Sequence, residues 1–285
     1  MFQSFTLRLG SDLVTIDRPR IMGIVNMTPD SFYAASRNAS EADLSHRIAS
    51  MVSDGADMLD IGGYSSRPGA PDVPLEEEWR RVSTALKIAR REAPQLPVSV
   101  DTFRSEIARR ACSEYGPVIV NDISGGTLDP QMWETVASLR VPYVLMHMRG
   151  TPATMQSLTD YTDVTAEVIA DLSRKLRQLR LMGVADVIVD PGFGFSKTLA
   201  QNYELFHHLD LFNDTLNAPL LVGISRKSMI SRLLGIDTAD TLTGTTALNT
   251  IALSKGASIL RVHDVRDAAQ ALKVWLAVTR PSTIQ

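Results

Sequence analysis

A chain of 285 residues that is 44% hydrophobic and 21% charged has the make-up of an ordinary folded protein, which excludes disordered and fibrous classes. Its net charge of −3 supplies no basic field to hold a nucleic acid or an anionic membrane. One cysteine, Cys112, excludes an internal disulfide framework and any multi-cysteine zinc site.

The chain starts Met-Phe-Gln-Ser-Phe-Thr, without the basic segment and apolar core of a secretory signal. No apolar run approaches the ~20 residues that cross a bilayer. A cytoplasmic protein acting on something small is expected. Residues 5–16 set strand-forming side chains around a Gly-Ser-Asp turn, and 1–17 read as a β-hairpin.

Eight short runs of Val, Ile and Leu follow at 21–25, 58–61, 98–100, 118–120, 143–146, 187–189, 220–224 and 259–262. They lack polar alternation, as parallel strands buried on both faces do. Helical patterns separate most of them. Ser40 is placed to cap a first helix with Leu44, Ile48, Met51 and Val52 on one face. Pro74 opens a second, whose acidic first turn of Glu76, Glu77 and Glu78 suits the positive end of the helix dipole. Further helices are predicted over 105–115, 130–139, 164–182, 199–212, 228–234, 241–255 and 265–278. Cys112 falls on one of these beside Ala108 and Ala111 and reads as a structural thiol.

This alternation predicts an α/β fold, a (β/α)8 TIM barrel forming one domain over 1–285, with the hairpin capping the barrel bottom. A doubly wound sheet is the rival, but no strand is followed by a G-x-G-x-x-G or G-x-x-x-x-G-K-[ST] loop. Gly223-Ile-Ser225 lacks the last glycine of a hydrolase elbow.

Every predicted strand ends on a polar residue: Asn26, Asp60, Asp101, Asn121-Asp122, His147, Asp190, Ser225-Arg226-Lys227, and Arg261 with His263. In a barrel these ends share one rim, the rim on which barrel enzymes build their sites. Arg261 and His263 flank Val262, so their side chains leave the strand on the same side.

The same residues carry a family pattern. Gly23-Ile-Val-Asn-Met-Thr-Pro-Asp-Ser-Phe32 and Gly62-Gly-Tyr-Ser-Ser-Arg-Pro-Gly-Ala70 resemble the first two signatures of the dihydropteroate synthase family. The segments 99–103, 121–126, 146–152, 190–195, 223–228 and 261–265 are similar to the family's later strand ends. The resemblance implies condensation of 6-hydroxymethyl-7,8-dihydropterin diphosphate with 4-aminobenzoate by a (β/α)8 barrel. It also implies a homodimer, Mg²⁺ with the diphosphate, and competition by sulfonamides that mimic 4-aminobenzoate.

Position by position, the resemblance places Asp101, Asn121, Met146, Asp190, Phe195, Lys227 and Arg261 around the pterin, the Arg261 guanidinium along its face. A ring edge of N–H donors wants a buried carboxylate such as Asp190; its alternative is a turn cap. Met146 reads equally as core. Asp101 matches the carboxylate near the pterin methylene, where a fixed negative charge stabilises a developing cation; its alternative is an ion pair with Arg104. The implied catalytic set is Asp101, Lys227 and Arg261. Asn26, Ser66, Arg67, Arg261 and His263 match the diphosphate site, and Asn26 the metal contact. Phe32, Ser66, Arg67, Pro68, Lys227 and Ser228 match the aminobenzoate slot, with packing as the alternative for Phe32. His147 reads either as a contact or as support behind one.

Two departures stand out. After Phe32 the family's acidic Gly-rich loop is replaced by Tyr33-Ala-Ala-Ser-Arg37, and Tyr64 and Ser66 stand where the second signature has Glu and Thr. Other pterin barrels, such as folate-dependent corrinoid methyltransferases, have no use for the Arg261/His263 pair. A non-catalytic pterin-binding protein is the other alternative.

Overall fold

The computed structural model describes residues 2–27, 37–65 and 71–281, with the backbone alone for 37–40. Strands β1 (Phe5–Leu9) and β2 (Asp12–Ile16) pair antiparallel, Phe5 opposite Ile16. Their two-residue turn starts at Gly10, whose φ of +65° favours glycine.

Eight strands then lie parallel: β3 (Arg20–Asn26), β4 (Met58–Gly62), β5 (Val98–Asp101), β6 (Ile119–Asp122), β7 (Tyr143–Met146), β8 (Val187–Asp190), β9 (Leu221–Val222) and β10 (Ile259–Val262). Their spatial order is β8-β7-β6-β5-β4-β3-β10-β9, and a parallel bridge from Val189 to Leu220 joins the ends. The result is the (β/α)8 barrel, with the N-terminal hairpin in addition.

The helices among the described residues are α1 (Arg37–Ser53), α2 (Leu75–Glu92), α3 (Ser105–Tyr115), α4 (Met132–Leu139), α5 (Val164–Leu181), α6 (Leu199–His207), α7 (Asp210–Leu216), α8 (Ser228–Leu234), α9 (Leu242–Ser254) and α10 (Val265–Thr279). Two expectations change. The first helix begins at Arg37, so Ser40 lies inside it and is not its cap. The helix read over 199–212 is two, α6 and α7, parted at His208–Leu209. One apolar stripe, Leu205, Leu209, Phe212 and Leu216, is buried along both pieces, which is why the sequence reads as continuous.

Alternation along the strands sorts the side chains. One set packs outward against the helices in the main core, Ile21, Leu59, Val100, Val120, Leu145 and Val189 among them. The other fills the barrel. At its lower end Met22, Met58, Ile119, Val144, Ile188, Leu221 and Ile259 cluster with Phe2, Leu7 and Ile16 of the N-terminal segment. The hairpin thus closes the bottom mouth, and the Arg8 N–H donates to Asp186 at 2.8 Å to hold it there. Of the acidic first turn of α2, Glu76 and Glu77 meet arginines at the surface. Glu78 is instead fully buried, accepting from Thr102 Oγ1 at 2.6 Å and pairing with Arg104 at 2.7 Å. Cys112 is half-buried, and burial pushes its thiol pKa up, as suits an inert structural thiol.

Candidate active site

Two residues beyond the apolar floor, the inward positions become polar: Asp60 above Met58, Asn121 above Ile119, Asp190 above Ile188 and Arg261 above Ile259. Above them opens a cavity of about 550 Å³, lined among others by Asn26, Asp101, Asn121, Asp190, Lys227 and Arg261.

Arg261 is held in a clamp of two acids. Its Nε donates to Asp60 Oδ2 at 2.6 Å and its Nη2 to Asp101 Oδ2 at 2.7 Å. Asp60 Oδ2 also accepts from Asn121 Nδ2 at 3.1 Å. That bond commits the Asn121 amide donor to the floor and leaves its Oδ1 as an acceptor. Burial pushes the Asp101 carboxyl up to about 7, against the pull of Arg261, with Asp60 adding to the rise. The expected alternative for Asp101 does not form, because Arg104 pairs with Glu78.

Asp190 ends β8 and is 6% exposed. Its Oδ1 accepts from the Gly192 N–H at 2.7 Å, so the turn bond foreseen as its alternative is made, with one oxygen. Burial raises its pKa, and Lys227 is the main opposing influence. Lys227 donates to the Phe193 carbonyl and lies 4.7 Å from the Phe195 ring centre. Burial lowers its ammonium pKa to about 8. Met146 is buried beside Ile123, Met148 and Met155 and also faces the cavity, so its two readings coexist.

On the β3–β10 side, Asn26 and His263 line the cavity with Arg261. His263 Nδ1 stands 3.1 Å from Ser225 Oγ, and burial next to Arg261 lowers its pKa to about 4. Ser228 also lines the cavity. His147 does not reach it. It is buried behind the loop after β8, its Nδ1 3.2 Å from Lys197 Nζ. Phe32, Ser66, Arg67 and Pro68 lie outside the described residues.

Asp60 and Lys197 were missed as site residues by sequence reasoning. Asp60 stood among the strand-end polar residues, but nothing near it in sequence names a partner 201 positions away. Lys197 carried no signal beyond following Gly192-Phe-Gly-Phe-Ser196. Tyr64 is on the cavity wall, edge-on to Phe103 with centroids 5.0 Å apart, and burial beside Asp72 raises its phenol pKa.

Carboxylates, an amide and a clamped guanidinium around one cavity at the top mouth of a barrel offer acceptors and donors for a small polar ligand. Comparison with known proteins gives the class a name. The family described as "Pterin binding enzyme" matches residues 22–263. The dihydropteroate synthase of Synechocystis sp. is 43% identical over 266 residues, covering 92% of this chain and 91% of that protein. The solved dihydropteroate synthase of Xanthomonas albilineans with 4-aminobenzoic acid superimposes with a TM-score of 0.87 at 40% identity, covering 98% of this chain and 99% of that one. The same enzyme in complex with 7,8-dihydropteroate gives 0.84 at 38% identity, covering 96% and 99%. The chain belongs to the dihydropteroate synthase family of pterin-binding enzymes.

Proposed function

We infer that this chain is a transferase that joins 6-hydroxymethyl-7,8-dihydropterin diphosphate to 4-aminobenzoate, releasing diphosphate and 7,8-dihydropteroate in folate synthesis. The observation that carries this reading is the convergence of Asp190, Asn121, Lys227, Asp101 and Arg261 on one cavity from strands far apart in sequence. Solved relatives bound to 4-aminobenzoic acid and to 7,8-dihydropteroate support the substrate assignment.

In this reading Asp190 accepts N–H donors of the pterin edge through its second oxygen, and Asn121 meets the ring through Oδ1. Met146 and Phe195 cover the ring, and Lys227 reaches its polar edge. Arg261, His263 and Asn26, with Ser66 and Arg67 of the second loop, take the diphosphate. The C–O bond to the methylene breaks, and diphosphate leaves with the electron pair. Asp101 faces the carbon as it becomes cationic and stabilises it in a dry pocket. The amine nitrogen of 4-aminobenzoate then bonds to that carbon and loses a proton. Phe32, Pro68, Ser66, Arg67, Lys227 and Ser228 form the aminobenzoate slot, where mimicking sulfonamides compete.

Among the described residues no group of three or more His, Cys, Asp or Glu gathers as a metal site. A single amide oxygen at Asn26 fits Mg²⁺, which keeps several waters and binds chiefly through substrate phosphates. Asn26 would hold it, and the ion would supply neutralising charge to the diphosphate.

The chain acts as one domain and as a homodimer in this proposal. The exposed apolar Ile251, Val274 and Val278 on the packed pair α9–α10 favour a second copy as their cover. A cytoplasmic location accords with the described helices, none of which is long and apolar enough to cross a membrane.

The test is diphosphate release that depends on added 4-aminobenzoate. Release only with both substrates supports the transferase. Pterin binding without release would make the chain a non-catalytic pterin-binding protein. Methyl transfer to a corrinoid would make it the other barrel enzyme.

A further inference from the structure

We propose that Lys197 is a positioning residue for the pterin pocket, a buried cation that ties the loop after β8 into the one shape that presents Asp190 and receives Lys227. The inference rests on the reading that Asp190 and Lys227 hold the pterin.

The loop is hard to hold by itself. Gly192, Gly194 and Ser196 all have positive φ, at +72°, +81° and +47°, and serine pays a steric penalty there. A Cβ on Gly192 would stand 2.0 Å from the His147 carbonyl oxygen, so the loop presses on the end of β7 with no room to spare. Something must fix it from within.

Lys197 is 4% exposed and does so. Its Nζ lies 3.0 Å from the Gly192 carbonyl, 3.0 Å from the Phe195 carbonyl and 3.2 Å from His147 Nδ1. Three acceptors match the three hydrogens of an ammonium, and a neutral amine would leave one unserved. The two carbonyls bracket Phe193 and Gly194. The Phe193 carbonyl is the one Lys227 grips, and the Gly192 N–H is the donor to Asp190. The contacts to Asp190 and Lys227 therefore both leave the segment that Lys197 clasps, with Asn202 Oδ1 holding the Gly194 N–H at 2.6 Å from the other side.

No carboxylate among the described residues forms an ion pair with Lys197, and burial pulls its pKa down to about 7. The charges facing it are Asp190, which favours its ammonium form, and Lys227 and Arg149, which oppose it. Lys197 in turn helps keep Asp190 ionised from behind, as Lys227 does from the cavity side. The pairing also explains His147: its Nδ1 accepts, so its proton sits on Nε2, and the imidazole is a fixed prop with a pKa lowered to about 2.

The test compares Michaelis constants of the full-length enzyme for its two substrates in wild type, Lys197→Met and Asp190→Asn, with thermal unfolding run alongside. Lys197→Met is expected to raise KM for the pterin diphosphate about 10-fold or more while KM for 4-aminobenzoate changes less than about 3-fold. A folded Lys197→Met with an unchanged pterin KM, or with both constants raised alike, overturns the proposal. Asp190→Asn separates the two levels. If it leaves the pterin KM untouched, the pocket reading fails and the role of Lys197 falls with it. If Asp190→Asn raises the constant and Lys197→Met does not, only the proposal fails. Should Lys197→Met not fold, His147→Leu, which removes one acceptor, is expected to raise the pterin KM a few-fold. His147→Asn, which keeps an acceptor near the Nδ1 position, is expected to restore it. No difference between those two variants overturns the proposal.

Discussion

The two mouths of the barrel are made by the same strands, two residues apart, and obey opposite rules. At the bottom Met22, Met58, Ile119, Val144, Ile188 and Ile259 close on Leu7 and Ile16 of the hairpin, apolar against apolar. At the top Asp60, Asp101, Asn121, Asp190, Lys227 and Arg261 crowd into a space where burial draws Asp101, Asp190 and Lys227 toward their neutral forms. The lower layer lowers the free energy of folding through contact and exclusion of water. The upper layer costs folding free energy, because charges leave water for partners that only partly replace it. What holds the upper layer in place is the lower one.

The largest effect should come from Asp101→Asn. Removing the charge proposed to face the reacting carbon is expected to lower kcat about 100- to 1,000-fold, with KM for the pterin diphosphate within about 5-fold. Its effect on stability has the other sign. The folded pKa of Asp101 is raised to about 7 from the ordinary 3.8, so the folded state binds this proton more tightly than the unfolded chain. Stability is therefore withdrawn as pH rises from about 4 through about 7. Above that window Asp101→Asn should melt no lower than wild type. A variant equally crippled in turnover and in melting temperature would erase the distinction between the mouths.

A smaller effect, about 10-fold per pH unit at the flanks, should appear in the pH profile of kcat/KM. In the proposed mechanism Asp101 works ionised and Lys227 protonated, and burial moves their pKa values to about 7 and about 8. The rate should rise through about 7 and fall above about 8. Asp101→Asn should lose the acid limb and keep the alkaline one. A flat profile from pH 6 to 9 would mean that the top mouth does not work through these charges.

The bottom mouth answers to a different measurement. Ile119→Val removes one methylene from a fully buried position and should cost about 0.5–1.5 kcal/mol of stability. Because Ile119 lies one inward step below Asn121 on β6, the same change should leave kcat and both KM values unaltered where both proteins are folded. Any change in pterin KM would show that the floor transmits strain to the site.

The contrast between the mouths also explains what could be read from the sequence. Each strand was legible because its outward positions meet helices and its inward ones meet the barrel, so apolar residues run unbroken until the rim. Polar letters at the ends, Asp101 and Asp190 for example, were legible because only a rim tolerates them. The clamp was not. That Arg261 turns to Asp60 and Asp101, and Arg104 away to Glu78, depends on strand order around a closed barrel, which spacing along the chain does not encode. Lys197 was invisible for a related reason: a lysine after a Gly-rich loop reads as solvated until the loop is seen to fold over it.

The smallest expected effect probes the one wall where this chain departs from its family's lettering. Tyr64 packs its ring edge on Phe103, with the Arg104 guanidinium 5.6 Å from the ring centre, and its phenol feels the charge of Asp72. A glutamate here, as in the family motif, would face Asp72 and the buried Glu78 with Arg104 as its counter-charge, a partner Glu78 already holds. The phenol avoids that repulsion and still closes the wall with its ring. Tyr64→Phe keeps the ring stack and removes only the hydroxyl, a hydrogen-bonding group worth about 0.5–1.5 kcal/mol. The loss should appear in KM for 4-aminobenzoate rather than for the pterin, because the groups assigned to the pterin sit on other strands. Competition by an aminobenzoate-mimicking sulfonamide should weaken by the same factor under the proposal that both ligands share one slot. A shift in the pterin constant instead would move Tyr64 to the other substrate and redraw the boundary between the two halves of the cavity.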